Sequence, residues 1–205
     1  MHIAETRIPG ALRVTPDRTA DERGNFYEAM RADTLESALG HPLVLRQINY
    51  SVSRRNTLRG LHGVSVPPGQ AKYVTCVRGV LRDIIVDLRV GSPAFGTHQV
   101  VELDAESGTS VYVPEGVGHG FLALTDDTCI CYAVSSVYVP GTQFEIDALD
   151  PELALPWGFT EPPLRSAKDA AAPGIAQAEA SGILATWTGR AGSSGARHPR
   201  GVGSA

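Results

Sequence analysis

Excess positive charge, paired cysteines and long apolar runs are all missing from this chain, and each gap closes off a class of function. Eighteen lysines and arginines stand against 22 aspartates and glutamates, a formal net charge of −4 over 205 residues. Bulk electrostatics therefore argue against nucleic acid or an anionic membrane as partner. A small phosphorylated ligand stays open, because Arg54, Arg55, Arg59 and Lys72 can form a local cationic cluster. No apolar stretch approaches the roughly 20 residues needed to cross a bilayer. Residues Met1 to Arg7 lack the charged-then-apolar pattern of a secretory signal. The three cysteines, Cys76, Cys129 and Cys131, contain no CxxC pair, and the last two alternate inside an apolar segment. They read as small buried hydrophobes in a reducing compartment, which makes the cytoplasm the expected location.

What is present is period-two alternation rich in β-branched residues. Expected strands are Leu43–Val52, Thr57–Leu61, Lys72–Arg78, Leu81–Arg89, His98–Leu103, Ser110–Val113, Gly120–Leu124 and Thr128–Tyr138. Turn residues such as Pro67-Pro68-Gly69, Arg78-Gly79 and Gly91-Ser92-Pro93 separate them, and no βαβ rhythm or internal repeat is visible. Along the fourth strand, Ile84, Val86 and Leu88 fall on one side, Asp83, Ile85 and Asp87 on the other. Helical signals flank the block at Arg31–Leu39, with Asp33 or Thr34 as cap and Gly40 as stop, and at Ile175–Leu184, which contains a costly Gly182. The pattern predicts an all-β fold, a cupin-type jelly-roll β-barrel with a few short flanking helices. One domain over residues 1–188 is expected, followed by a Gly, Ser, Ala and Arg tail over 189–205 that cannot offset its ordering entropy.

The chemistry-bearing residues sit close together. Leu58-Arg59-Gly60-Leu61-His62 precedes Pro67-Pro68-Gly69-Gln70-Ala71-Lys72, and Gly118-His119 and Tyr132 to Tyr138 come later. A base, fixed cations and a phenol are the parts needed to move a proton beside a carbonyl. Lys72 shares its strand face with Val74 and Cys76, so it points inward, where an ammonium needs an anion; Asp83, Asp87 or a substrate oxyanion can serve. Tyr132 shares a face with Ile130 and Val134, which is equally the pattern of core packing. Tyr138, ahead of Val139-Pro140, can stack on a flat ring. Arg23 and Glu28 form a further polar group around Gly24. Metal use is disfavoured: Gly60 and Val64 leave His62 without a second histidine nearby, and His62 with His119 makes a poor ligand set.

With these residues the chain resembles the dTDP-4-dehydrorhamnose 3,5-epimerases and related sugar-nucleotide epimerases of deoxysugar pathways. The carrying motifs are Asp21-Glu22-Arg23-Gly24-Asn25-Phe26, Gln47-Ile48-Asn49-Tyr50-Ser51, Leu58 to His62, Pro67 to Lys72, Asp87 to Pro93, Gly118-His119-Gly120-Phe121 and Ser166-Ala167-Lys168-Asp169. The resemblance implies that His62 is the general base, oriented by Asp169, that Lys72 stabilises the enolate oxygen, and that Tyr132 is the general acid. It implies that Tyr138 stacks on the thymine, with Arg23, Glu28, Gln47, Asn49, Arg59, His119 and Lys168 around the pyrophosphate and sugar. It further implies a dTDP-4-keto-6-deoxyhexose substrate, no cofactor and no metal, and a homodimer with N-terminal strands crossing the interface. Inversion at C5 and C3 is the expected outcome; single-site epimerisation or a keto shift on the same fold is the alternative. Two departures bear on substrate choice: Gly63 stands where many relatives carry an aromatic residue, which predicts extra space beside the sugar, and Gln143 where many carry glutamate.

Overall fold

The computed structural model describes residues 1–189. Thirteen strands and three short helices follow one another as β1 (His2–Glu5), β2 (Leu12–Thr15), β3 (Arg18–Asp21), β4 (Gly24–Tyr27), α1 (Ala32–Leu39), β5 (Gln47–Ser53), β6 (Leu58–Val64), β7 (Lys72–Arg78), β8 (Val80–Asp87), β9 (His98–Asp104), β10 (Ser110–Val113), β11 (Val117–Ala123), β12 (Thr128–Val134), β13 (Gln143–Glu145), α2 (Ala167–Ala170) and α3 (Ile175–Ser181). One sheet has the order β1-β2-β10-β7-β12-β5, the second β13-β6-β11-β8-β9, and β3-β4 form a separate hairpin. The all-β jelly roll is as expected, but its two sheets face each other without one hydrogen-bonded ladder closing around both, so β5 and β13 remain sheet edges.

Burial explains the layers. Between the sheets lie Val74, Cys76, Leu81, Ile85, Val101, Val111, Phe121 and Ile130, all nearly inaccessible to solvent. The outer face of the second sheet is also covered, which is why β8 is buried on both sides, whereas that of the first is covered only in part and leaves Ile48, Tyr50 and Val52 of β5 exposed. Ile84, Val86 and Leu88 pack outward with Leu61, Phe144, Ile146 and Trp157 of the C-terminal segment. On the opposite outer face, Leu35 and Leu39 of α1 cover Leu12, Tyr73 and Tyr112. Each such aliphatic side chain contributes about 1.5–3 kcal/mol on burial.

Several boundaries move from expectation for physical reasons. The third and sixth expected strands, Lys72–Arg78 and Ser110–Val113, stand unchanged. Leu43–Arg46 is not strand, and Ser135–Tyr138 leaves the ladder after Val134. β1, β3 and β4 are short and mostly exposed, and β2 and β13, though partly buried, span only four and three residues, too few to give a clear alternation signal. Arg31 caps α1 without a side-chain bond, in place of Asp33 or Thr34, while Gly40 ends it in the left-handed conformation at φ 76°. Gly182 likewise lies just beyond α3 as its left-handed stop, so it carries no interior cost. Cys76 is in the core and burial pushes its thiol up to about 11, but Cys129 and Cys131 are only half-buried. The tail expected at 189–205 lies outside the described residues except for Gly189.

Candidate active site

A cavity of about 420 Å³ opens at one end of the sandwich, walled by β5, β6, β7, β13 and α2. Its lining includes His62, Lys72 and Asp169, together with Gln47, Asn49, Arg59, Tyr138 and Lys168, so most of the expected site converges on one space. Strict alternation along β6 would send Arg59 and His62 to opposite faces. They share one because β6 carries an extra residue: His62 pairs with His119 and Arg59 with Phe121, three residues matched against two. Gly60 occupies this bulge at φ 116°, where a Cβ would lie 2.6 Å from the Gly120 Cα and 2.8 Å from the His119 carbonyl oxygen. Only glycine fits there.

The histidine is held from outside the sheet. Its Nε2 lies 2.7 Å from the Asp169 Oδ1, with His62 partly open to the cavity and Asp169 almost sealed. The Ser166 hydroxyl caps α2 by accepting the Asp169 backbone N–H at 3.0 Å. Ahead of it, Leu164 is stitched to the start of β6 through the Leu58 N–H and the Asn56 carbonyl, at 2.9 and 2.8 Å. The Arg165 guanidinium donates to the Asp169 carbonyl at 2.6 Å and to the Asp147 carboxylate at 2.5 Å. Burial alone would raise the Asp169 carboxyl, but the His62 bond and charge, with Ser166 and Arg165, hold it below its usual range.

Lys72 is the other pole. It is buried on the inward face of β7, and burial alone lowers its ammonium to about 8. Neither aspartate expected to face it does so. Asp87 is taken by Arg89, which donates to it through Nε at 2.8 Å and Nη2 at 2.7 Å, and by the Ser92 hydroxyl. Asp83 is taken by His119 at 2.5 Å. The Asp87 to Pro93 motif is thus a buried structural clamp, closed by Trp187 stacked 4.3 Å from the Arg89 guanidinium carbon. Lys72 is left as a desolvated cation with no carboxylate of its own among the described residues.

Four expected residues fall outside the lining. His119 is buried behind it, edge-on to Tyr132 with ring centroids 5.8 Å apart. Tyr132 packs against the inter-sheet core; its hydroxyl is 3.4 Å from the Ser51 hydroxyl and near the Arg59 charge, and burial holds the phenol firmly protonated. Arg23 is exposed and bonded to Asp21 on the β3-β4 hairpin, and Glu28 follows that hairpin. The space predicted beside Gly63 does not exist. The Phe144 ring fills it, and a Cβ at Gly63 would lie 2.2 Å from the ring Cζ.

Residues that sequence reasoning missed are Gln70, Glu145 and Ser166, all in the lining. Glu145 forms an ion pair with Lys168, which raises the lysine's affinity for its proton. The only sequence signal for Glu145 was its place two residues after Gln143 on a strand too short to recognise. Among the described residues no three His, Cys, Asp or Glu side chains gather at metal-ligating range. Among those residues no helix is long and apolar enough to cross a membrane.

Comparison with known proteins adds to this geometry. Residues 5–177 match the family model described as dTDP-4-dehydrorhamnose 3,5-epimerase. A dTDP-4-dehydrorhamnose 3-epimerase of Streptomyces niveus is 46% identical over 187 residues, 91% of this chain and 90% of its own. A dTDP-4-dehydrorhamnose 3,5-epimerase of Mycobacterium tuberculosis is 44% identical over 91% of this chain and 94% of its own. Among solved structures, a 3'-monoepimerase from Streptomyces bikiniensis in complex with dTDP-quinovose superposes with a TM-score of 0.85, at 43% identity, over 88% of this chain and 91% of that one.

Proposed function

This chain belongs to the dTDP-4-dehydrorhamnose 3,5-epimerase family and is a sugar-nucleotide epimerase, and we propose that it inverts C5 and C3 of a dTDP-4-keto-6-deoxyhexose. The protons on both carbons flank the C4 carbonyl, so removing either gives an enolate spread onto the C4 oxygen. His62, oriented by Asp169, takes the proton. Lys72 meets the developing oxyanion, a contribution of about 3–4 kcal/mol. The observation that carries this reading is the pairing, in one cavity, of a carboxylate-oriented imidazole with a buried ammonium that has no carboxylate of its own among the described residues. A desolvated cation of that kind is costly in the free protein and is relieved as negative charge forms on the substrate.

Inversion requires the proton to return on the opposite face of the ring, and Tyr132 is the proposed donor. Tyr138 stacks on the thymine, while Gln47, Asn49, Arg59 and Lys168 hold the diphosphate and sugar; this remote handle supplies positioning energy. Arg23 and Glu28 reach the site from a partner subunit in a cytoplasmic homodimer. The β3-β4 hairpin supports that role, because it joins neither main sheet and leaves Phe26 72% exposed. His119 contributes from behind the wall through its edge contact with Tyr132.

Inversion at C3 alone is a second reading, favoured by the Tyr132 hydroxyl lying outside the cavity lining. Incubation with dTDP-4-keto-6-deoxyglucose in deuterated water separates the two. Deuterium at C5 and C3 is expected; label at C3 only selects the second reading; a shifted keto group selects an isomerase; no label at either carbon defeats the epimerase mechanism.

A further inference from the structure

Glu145 has no role in the mechanism above, yet it stands beside the proposed base. Its Cα is paired with that of His62 in the β13–β6 ladder, and both side chains line the same cavity. Opposed residues on one face of an antiparallel pair hold their Cβ atoms about 4.5–5.5 Å apart. Two consecutive helix residues then take one strand residue each: Asp169 bonds His62, and Lys168 ion-pairs with Glu145. The members of the second pair differ in freedom. The Glu145 side chain is 15% exposed and fixed on a strand, whereas the Lys168 side chain is 67% exposed on a four-residue helix.

We propose that Glu145 is a positioning residue that couples substrate capture to the strength of the base. In the free enzyme Lys168 neutralises it. A bound diphosphate draws the ammonium away and leaves an uncompensated carboxylate across the ladder from His62. An adjacent anion favours the protonated imidazole, so His62 accepts a proton more readily once the substrate is in place. The inference rests on the epimerase reading, in which Lys168 meets the diphosphate.

Of the other charges facing His62, only Arg59 also meets the diphosphate in the proposed mechanism, and its share of any shift persists in Glu145→Gln. Asp169 is its standing partner, and Arg59 on β6 and Lys72 on β7 are both cations. His119, its neighbour on β11, is sealed against Asp83. Arg165, ahead of α2, is tied to Asp147 and the Asp169 carbonyl.

Glu145→Gln keeps the size of the side chain and an acceptor for Lys168. Deuterium exchange into dTDP-4-keto-6-deoxyglucose is followed across pH at saturating and at limiting substrate. The acid limb at saturation reports the substrate complex, and at limiting substrate the free enzyme. In Glu145→Gln the saturating limb is expected to move down by about one pH unit, and the limiting limb by less than about a third of that. Lys168→Met is the reciprocal, its limiting limb moving up toward the wild-type saturating one. Two Glu145→Gln limbs that shift equally, or a rate loss with both unmoved, overturn the coupling and leave Glu145 a tether for α2. Wild-type enzyme that exchanges no deuterium overturns the epimerase reading and this inference with it, an outcome visible before any variant is made.

Discussion

Two imidazole–carboxylate pairs sit side by side in this molecule and are put to opposite uses. A single row crosses the second sheet as Glu145, His62, His119 and Ile85. His62 meets Asp169 at 2.7 Å and His119 meets Asp83 at 2.5 Å. The contacts are nearly alike; the surroundings are not. The His62 side chain, one strand from the sheet edge, is 43% exposed to a cavity, whereas that of His119, one strand further in, is 4% exposed. Its Asp83 partner keeps one oxygen, Oδ1, buried without any hydrogen bond. An imidazole can exchange protons with a ligand only where the ligand can reach it. In the proposed mechanism the inner pair is therefore a fixed polar spacer behind Tyr132, and the outer one supplies the base.

The comparison can be broken most directly at its outer member. His62→Ala is expected to lower deuterium exchange about 10³-fold with a stability loss of about 1 kcal/mol, as water from the cavity replaces the imidazole beside Asp169; a loss as large as that expected at the inner member would contradict the division of labour. At the inner member the readouts reverse. His119→Ala strands the Asp83 carboxylate and is expected to cost about 3–5 kcal/mol of stability, with exchange per folded molecule changing less than about tenfold. A large rate loss in a stable His119→Ala protein would move that residue into the chemistry.

Lys72→Met sharpens the contrast by trading stability against rate. The Lys72 ammonium is lowered from 10.5 to about 8 in the folded protein, so between those values the unfolded chain holds more protons. Wild-type stability therefore rises with pH through that window. Below it, the desolvated charge costs about 3 kcal/mol. Lys72→Met is expected to be more stable at neutral pH by up to that amount, to lack the alkaline rise in urea titrations, and to exchange deuterium about 10²-fold more slowly. The smallest effect belongs to Asp169. Its carboxyl is lowered on folding, so it adds stability above its unfolded value, lost as pH falls through the folded one. Asp169→Asn should remove that acid-side loss and slow exchange by about tenfold to a hundredfold.

Much of this was legible along the chain, and the reasons are specific. The β7 alternation placed Lys72 on the inward face with Val74 and Cys76; in β8 the alternation sorted residues to two sides, while the burial of both sides depended on distant segments that cover the outer one. A glycine at position 60 permits a close backbone approach, but no local pattern showed that a bulge turns Arg59 and His62 to one side, since register depends on the partner strand. Gly63 read as open space because a missing side chain says nothing about what fills the gap; Phe144, far along the chain, fills it. Asp83 and Asp87 were equal candidates to face Lys72 until His119 and Arg89 claimed them.

Local patterning settled which residues are strand and which sides are apolar, because alternation and turn chemistry act between near neighbours. The family and its chemistry were also readable there, as a set of short motifs. Which charges meet was decided by packing. The choice of partner for a buried charge depends on ladder register and on segments such as Leu164 to Asp169 that return from far along the chain, and electrostatic pairing at about 3 Å has no signature in linear spacing.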